Sequence, residues 1–279
     1  MACVEEKKKI KARMPTYYIS HGGGPWPWMS DWREMFKNLS ASLVRMTRDI
    51  PRRPKAILMI SGHWEEDDSF AVMTSANPPM HYDYSGFPPE TYEVVYPAPG
   101  SPELAARAAG LIAGAGLPVR CDDVRGYDHG CFVPAHVMYP DASVPIFQVS
   151  LRRGYDPGEH VALGRALAPL RDEGVLIVGS GLSYHNMRTM MRAPEEARVP
   201  SEEFDIWLGR VMAKPPAERT ADLLNWESSA PHARDCHPRE DHLAPIWVAV
   251  GAAEDDVATR TYRDEDLFGG ITASSYRLG

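Results

Sequence analysis

The sequence predicts a single α/β domain with a mostly parallel central sheet flanked by helices, and three observations carry that expectation. Short apolar runs rich in β-branched residues alternate with segments of helical periodicity, the order that builds βαβ units. The strongest of these runs are apolar at nearly every position, as strands are when a sheet is covered on both faces. The chain has 279 residues, 44% hydrophobic and 24% charged, enough for one large core without disulfide or metal staples.

The strand expectations are Thr16–Ser20, Ala56–Ser61, Val144–Ser150 and Val175–Ser180, each bounded by Gly, Pro or polar residues. Phe70–Thr74 and Val119–Asp122 are weaker candidates. Among the helices, Asp31–Arg48 shows apolar residues at helical spacing. Ser101–Ala115 opens with Ser101 and Pro102, an N-cap followed by proline in the first helical position, and Asp156–Arg171 repeats that signature with Asp156 and Pro157. Pro200–Val211 and Ala217–Trp226 are further helices, and Leu243–Ala253 is apolar nearly all round, so it should be buried. The TRTYR and SSYRLG segments near the end suit a late hairpin or edge strand. Residues 1–13, with Lys7, Lys8, Lys9, Lys11 and Arg13, read as a disordered extension, which leaves 14–279 as the domain. The segment from His81 to Pro99 is rich in Pro and carries Tyr82, Tyr84, Tyr92 and Tyr96, so it cannot be a regular helix. A loop this long in a compact domain is either a lid over a pocket or a surface loop packed by its own aromatics.

Composition removes several functions. A net charge of −8 argues against nucleic-acid and anionic-membrane partners. None of the four cysteines forms a CxxC pair, so a zinc ribbon is excluded and free thiols in a cytoplasmic protein are expected. No apolar run approaches the length of a membrane span, and the charged start has no signal-peptide core. There is no GxSxG elbow and no phosphate-binding loop.

The ten histidines carry the chemistry. His21 follows the first strand, His63 the second, and His185 lies just past the Val175 run. Imidazole is the commonest transition-metal ligand, and parallel sheets place their chemistry at the carboxyl ends of their strands. One strand-end histidine is more often a structural hydrogen-bonder; His21 and His63 together, each beside glycine, point to a metal. His129 sits in a polar turn before an apolar helix, and His242 at the mouth of the buried one. His81, His136, His160, His232 and His237 look less committed, with His160 on an exposed helical turn and His237 in a loop. Trp26 and Trp28 could stack on an aromatic substrate or simply pack their loop.

The motifs HGGGP, SGHWE, YSGFP with YPAPGSP, GYDHG, SGLSYHN and HPREDHLAPI occur in that order, from about Tyr17 to Ile246. Together they resemble the class III extradiol ring-cleaving dioxygenases, in the branch similar to DOPA 4,5-dioxygenase. The resemblance implies a metal held by His21, His63 and His242, with His185 as general acid and base and His129 on the substrate side. It implies Fe(II) as the working metal, with Zn(II) a common occupant of such sites in purified samples. The substrates implied are O2 and a DOPA-like or larger catechol, opened to a semialdehyde acid, by a monomer or homo-oligomer. Trp26, Tyr184, His129 and Arg239 are the substrate-contact candidates, and Arg152, Arg153 and Arg188 are further candidates to meet a substrate carboxylate. The wider superfamily completes its site with a Glu; here His242 takes that place, flanked by Glu240 and Asp241, with Glu65 as a fallback carboxylate. His185 as a fourth, closing ligand is the competing assignment. The rival functions are a zinc hydrolase, although no HExxH helix is present, and a non-catalytic binding protein on the same fold.

Overall fold

A computed structural model describes residues 13–279. Residues 1–12, most of the expected extension, lie outside the described residues; Arg13 is described and pairs with Asp172. Strands β1 (Thr16–Ser20) and β2 (Ala56–Ser61) have their expected bounds, and every residue in both is buried. Between them the single helix expected over Asp31–Arg48 is two, α1 (Ser30–Met35) and α2 (Lys37–Asp49), parted at Phe36. Phe36 turns fully into the core, against Trp26, Trp32 and Phe268.

After β2 the chain forms β3 (Glu65–Glu66) and β4 (Phe70–Met73), then the long aromatic loop, α3 (Pro102–Gly114), β5 (Val119–Asp122) and α4 (His129–Met138). Strands β6 (Ile146–Gln148) and β7 (Leu151–Arg152) follow. The helix expected over Asp156–Arg171 is interrupted by Pro169, giving α5 (Pro157–Leu167) and α6 (Pro169–Glu173), because proline supplies no N–H to continue the ladder. Strand β8 (Val175–Gly181) is buried throughout. Helices α7 (Met187–Arg192), α8 (Pro194–Met212), α9 (Pro216–Leu224), α10 (Trp226–Ser229) and α11 (Ala233–Cys236) come next. Pro194, not Pro200, takes the first-turn position of α8, and Pro200 sits inside it. The chain ends with α12 (Ala244–Ala252) and the hairpin of β9 (Ala258–Leu267) and β10 (Ile271–Leu278).

The main sheet runs β6-β2-β8-β1-β10-β9. Strands β6, β2, β8 and β1 are mutually parallel; β10 is antiparallel to β1 and β9 to β10. The sheet is therefore mixed but mostly parallel, as expected. The weaker strands β4 and β5 form, but pair with each other in a separate ribbon. Helix α12 is buried on every side. Gly164 of α5 and Gly251 of α12 let these helices close on one another, since a Cβ on either would stand 2.2 Å from a backbone carbonyl of the other helix. His160, expected on an exposed turn, is fully buried, bonded through Nδ1 to the Asp156 carbonyl and through Nε2 to the Arg152 N–H. His237 is fully buried as well.

Candidate metal centre

The parallel strands end together, which fixes where the histidines meet. Ser180 of β8 lies level with Ile19 of β1 and Ser61 of β2, so His21 and His63 leave the two strands that flank β8 at the same end of the sheet. Gly181 leaves room there for the third segment, since a Cβ at this position would stand 2.1 Å from the His242 carbonyl. That carbonyl accepts from the Tyr18 hydroxyl at 2.8 Å and the Leu182 N–H at 3.2 Å, anchoring the turn before α12 to the strand ends.

Three imidazole nitrogens converge. His63 Nε2 lies 3.3 Å from His21 Nε2 and 3.1 Å from His242 Nε2. The groups behind each ring assign its tautomer. Ser180 Oγ donates to the Gly130 carbonyl at 2.5 Å, so toward His21 Nδ1, 3.0 Å away, it accepts. Asp83 Oδ2 is 3.1 Å from His63 Nδ1, and Asp241 Oδ1 is 3.2 Å from His242 Nδ1. Neither of these two contacts has straight hydrogen-bond geometry, but a carboxylate beside Nδ1 still favours the proton there. All three Nε2 atoms therefore present lone pairs to one another with no proton between them.

Such an arrangement is repulsive unless a cation occupies its centre. Four-coordinate ligands at ordinary metal–nitrogen lengths stand about 3.4 Å apart, close to the spacing seen. The electrostatics agree. Burial, then the neighbouring imidazoles, push His21 and His63 well below the usual histidine range, and His242 is pushed down to about 4 by burial and His185. All three are neutral at pH 7, as ligands must be. Burial opposes ionisation of Asp83 and Asp241, yet their histidine partners hold both carboxyls below the usual carboxylate range. A carboxylate that orients ligand imidazoles from behind is the usual outer support of such a site.

The other two histidines flank the trio. His129 opens α4 after the N-cap Asp128, with its backbone N–H and its Nδ1 both 2.9 Å from Asp83 Oδ1. His185 stacks on His242 with centroids 3.4 Å apart and 18° between planes, and its Nδ1 is 3.3 Å from Asp241 Oδ1. Both line a cleft of about 420 Å³ together with His21, His63 and His242. Among the described residues, two further clusters of ligand-type atoms, His63–Asp83–His129 and His185–Asp241–His242, involve histidines whose Nδ1 edges are already turned to carboxylates. They are less suited to a metal than the three bare Nε2 atoms.

Several candidate contacts fall outside the cleft. Trp26 is buried beneath it, donating from Nε1 to the His21 carbonyl at 3.0 Å and packing on Phe36; it braces the backbone of His21 and does not line the cleft. Trp28 packs on Phe132 and His136. Tyr184 is buried away from the cleft, with its phenol pushed up to about 12 by burial. Arg239 is drawn off by Glu65 and lies over the Tyr155 ring, 5.3 Å from its centroid. Glu65 is thereby committed to Arg239 and Arg153, and Glu240 to Arg234, so neither reaches the trio. Of the glycines after His21, Gly22 and Gly24 have positive φ of 84° and 49°, and a Cβ on Gly24 would strike the Phe87 ring at 2.5 Å.

Sequence reasoning missed Asp83, Ser180, Trp32 and the methionines of α7. The aromatic loop borders the cleft and is also packed by its own aromatics. Asp83, Tyr84, Ser85 and Phe87 line one wall of the cleft, while Tyr82 and Tyr84 donate to the Val94 and Thr91 carbonyls at 2.7 and 2.6 Å to hold the loop to itself. An acidic residue between tyrosines in a loop already suspected as a lid was the available signal for Asp83.

Comparison with known proteins agrees with this geometry. A dioxygenase of Hapsidospora irregularis named tasH is 40% identical, over 95% of this chain and 85% of its own length. Proteins named 4,5-DOPA dioxygenase extradiol from Beta vulgaris and Escherichia coli are 38% and 39% identical, over 94% and 86% of this chain and 96% and 85% of their own. The crystal structure of an uncharacterized Escherichia coli K12 protein, 27% identical, superposes with a TM-score of 0.76 over 96% of this chain and all of that one. Residues 15–279 match the family described as the catalytic LigB subunit of aromatic ring-opening dioxygenase, and the chain belongs to that family of metal-dependent, ring-cleaving enzymes, which act on a small molecule and O2.

Proposed function

We propose that the protein is an Fe(II)-dependent extradiol dioxygenase that opens the ring of a catechol beside its hydroxyls, placing both atoms of O2 in a semialdehyde acid. The observation that carries this reading is the meeting of three unprotonated Nε2 atoms, from His21, His63 and His242, in one cleft. Three protein ligands leave coordination positions open for substrate, as a catalytic site needs and a structural one does not. Bound there, the metal would supply a Lewis-acidic redox centre through which ring electrons reach O2.

The remaining work falls to the chain's own groups. Asp241 and Asp83 fix the proton of His185 and of His129 on Nδ1, so each ring turns Nε2 to the cleft. His185 takes the second phenolic proton at Nε2 and returns it to the ring-opened product. Its stacking on His242 keeps that nitrogen beside the ligand set. His129 hydrogen-bonds the oxygen substituents on the other side, held there by two bonds to a single carboxylate oxygen. Trp32, Tyr84 and Phe87 give the aromatic ring apolar walls and limit the water that reaches it.

Because three imidazoles also suit zinc, the metal must be controlled in the test. Metal-free protein is loaded with Fe(II) without oxygen, then mixed with oxygen and a catechol panel that includes L-DOPA. The expected result is oxygen uptake with a new yellow absorbance, absent from a zinc-loaded sample. Fe(II) confirmed bound with neither signal on any catechol would sink the reading and return the zinc hydrolase or binding protein.

A further inference from the structure

The cleft has one chemical peculiarity beyond its histidines. Its walls are Met187, Met190 and Met191 of α7, Trp32 of α1, Phe87 of the aromatic loop and Phe268 of the β9–β10 turn. Among the described residues, its only charged side chains are Asp83 and Asp241, both carboxylates and both already paired with histidines. Among the described residues, no lysine or arginine lines it. The arginines that the sequence offers for a substrate carboxylate are committed elsewhere: Arg152 to Glu159, Arg153 to Glu65 and Asp67, and Arg239 to Glu65. Arg188 is exposed on α7 and does not line the cleft.

Two of these methionines are open to solvent. Met187 is 50% and Met191 64% exposed at the lip, while Met190 is buried behind them. Unbranched, polarisable thioethers conform to flexible apolar groups of varied shape. A carboxylate entering along these walls would lose water, gain no cationic side chain and face two like charges.

Resting on the ring-cleavage reading above, we propose that the substrate is a catechol with an uncharged, apolar substituent lying along the α7 methionines, and that carboxylate-bearing catechols are selected against. The test uses two compounds of nearly the same shape, 4-propylcatechol and 3-(3,4-dihydroxyphenyl)propionate. With Fe(II)-loaded enzyme, kcat/KM for the propyl compound should exceed that for the propionate by at least about tenfold. The same order should appear in anaerobic binding to metal-free protein, read from quenching of tryptophan fluorescence, because Trp32 faces the cleft. Met191→Arg, a change at an exposed lip position, should narrow the preference by admitting the propionate. Equal or better turnover and binding of the propionate would overturn the proposal, as would failure of both compounds to bind. Preferential binding of 4-propylcatechol without oxygen uptake would uphold the selectivity of the cleft while removing the ring-cleavage reading.

Discussion

Asp83→Asn tests whether a carboxylate in the aromatic loop holds the metal site together. Asp83 Oδ1 receives the backbone N–H and the Nδ1 of His129, each at 2.9 Å, and Oδ2 faces His63 Nδ1 at 3.1 Å. Asparagine keeps one acceptor oxygen. Placed at the Oδ1 position it preserves both bonds to His129, and the amide nitrogen then meets His63 Nδ1–H donor to donor. The ring of His63 must turn or lose its proton partner, so its Nε2 no longer points reliably at His21 and His242. Removing an outer support of this kind costs about 10–100-fold in metal affinity, or about 1.4–2.7 kcal/mol. The fold should survive, because the loop is held mainly by its own tyrosines. Competition against a calibrated chelator gives the dissociation constants of wild type and variant, and circular dichroism checks the fold. An affinity within twofold of wild type would mean that His63 is positioned by something other than Asp83, and the ligand assignment would have to be rebuilt.

The other expectations use different readouts. His21→Ala and His63→Ala should each lose bound metal by elemental analysis while keeping a wild-type circular dichroism spectrum; unfolding of both would make the cluster structural. His185→Gln should keep its metal and turn over about 10²–10⁴-fold more slowly, whereas a metal-free product would make His185 a ligand. His160, far from the cleft, should make the apoprotein acid-sensitive. Its folded pKa, pushed down to about 4 by burial, lies below the unfolded value, so the unfolded chain binds more protons between pH 6.5 and 4. Stability should therefore fall by about 3 kcal/mol across that window, and urea melts of His160→Gln should show a shallower pH slope than wild type. Asp205→Ala should cost about 3 kcal/mol, because this buried carboxylate ties α8 to the hairpin through Arg260, Arg263 and the Ser274 hydroxyl; an unchanged thermal midpoint would refute that role.

The parts of this molecule that were legible in its sequence are those written in contiguous residues. Strands β1 and β2 read correctly because every side chain on them is buried, and Leu243–Ala253 read as a buried helix for the same reason. His21 and His63 stood out because each ends such a strand. What stayed hidden depends on partners distant in sequence. Asp83 acquires meaning only where the loop folds back over His129, 46 residues later. Trp26 reads from sequence as either a stacking surface or loop packing, and only its indole N–H on the His21 carbonyl decides for packing. Arg239 could not be excluded as a substrate contact without Glu65, 174 residues away, which takes it. Local spacing likewise placed His160 at a surface turn, and only the packing of Tyr155, Phe70 and Trp247 around it reveals burial.

The same distinction separates the chemistry of the site from its selectivity. The three bare Nε2 atoms are set by strand ends locked in register, by Ser180 on the neighbouring strand, and by a turn pinned to Tyr18 and Leu182. None of those positions can shift without moving the sheet. The wall that would meet the substrate's tail comes from elements that owe nothing to strand register: a six-residue helix, an irregular loop and a hairpin turn. Substitutions at Met187, Met191 or Phe268 can therefore alter what enters without disturbing what binds the metal. Relatives that share the histidines can differ in substrate, and a shared ligand set alone does not carry a relative's substrate to this chain. The side chains of α7, read against the charge of the cleft, are where that information lies.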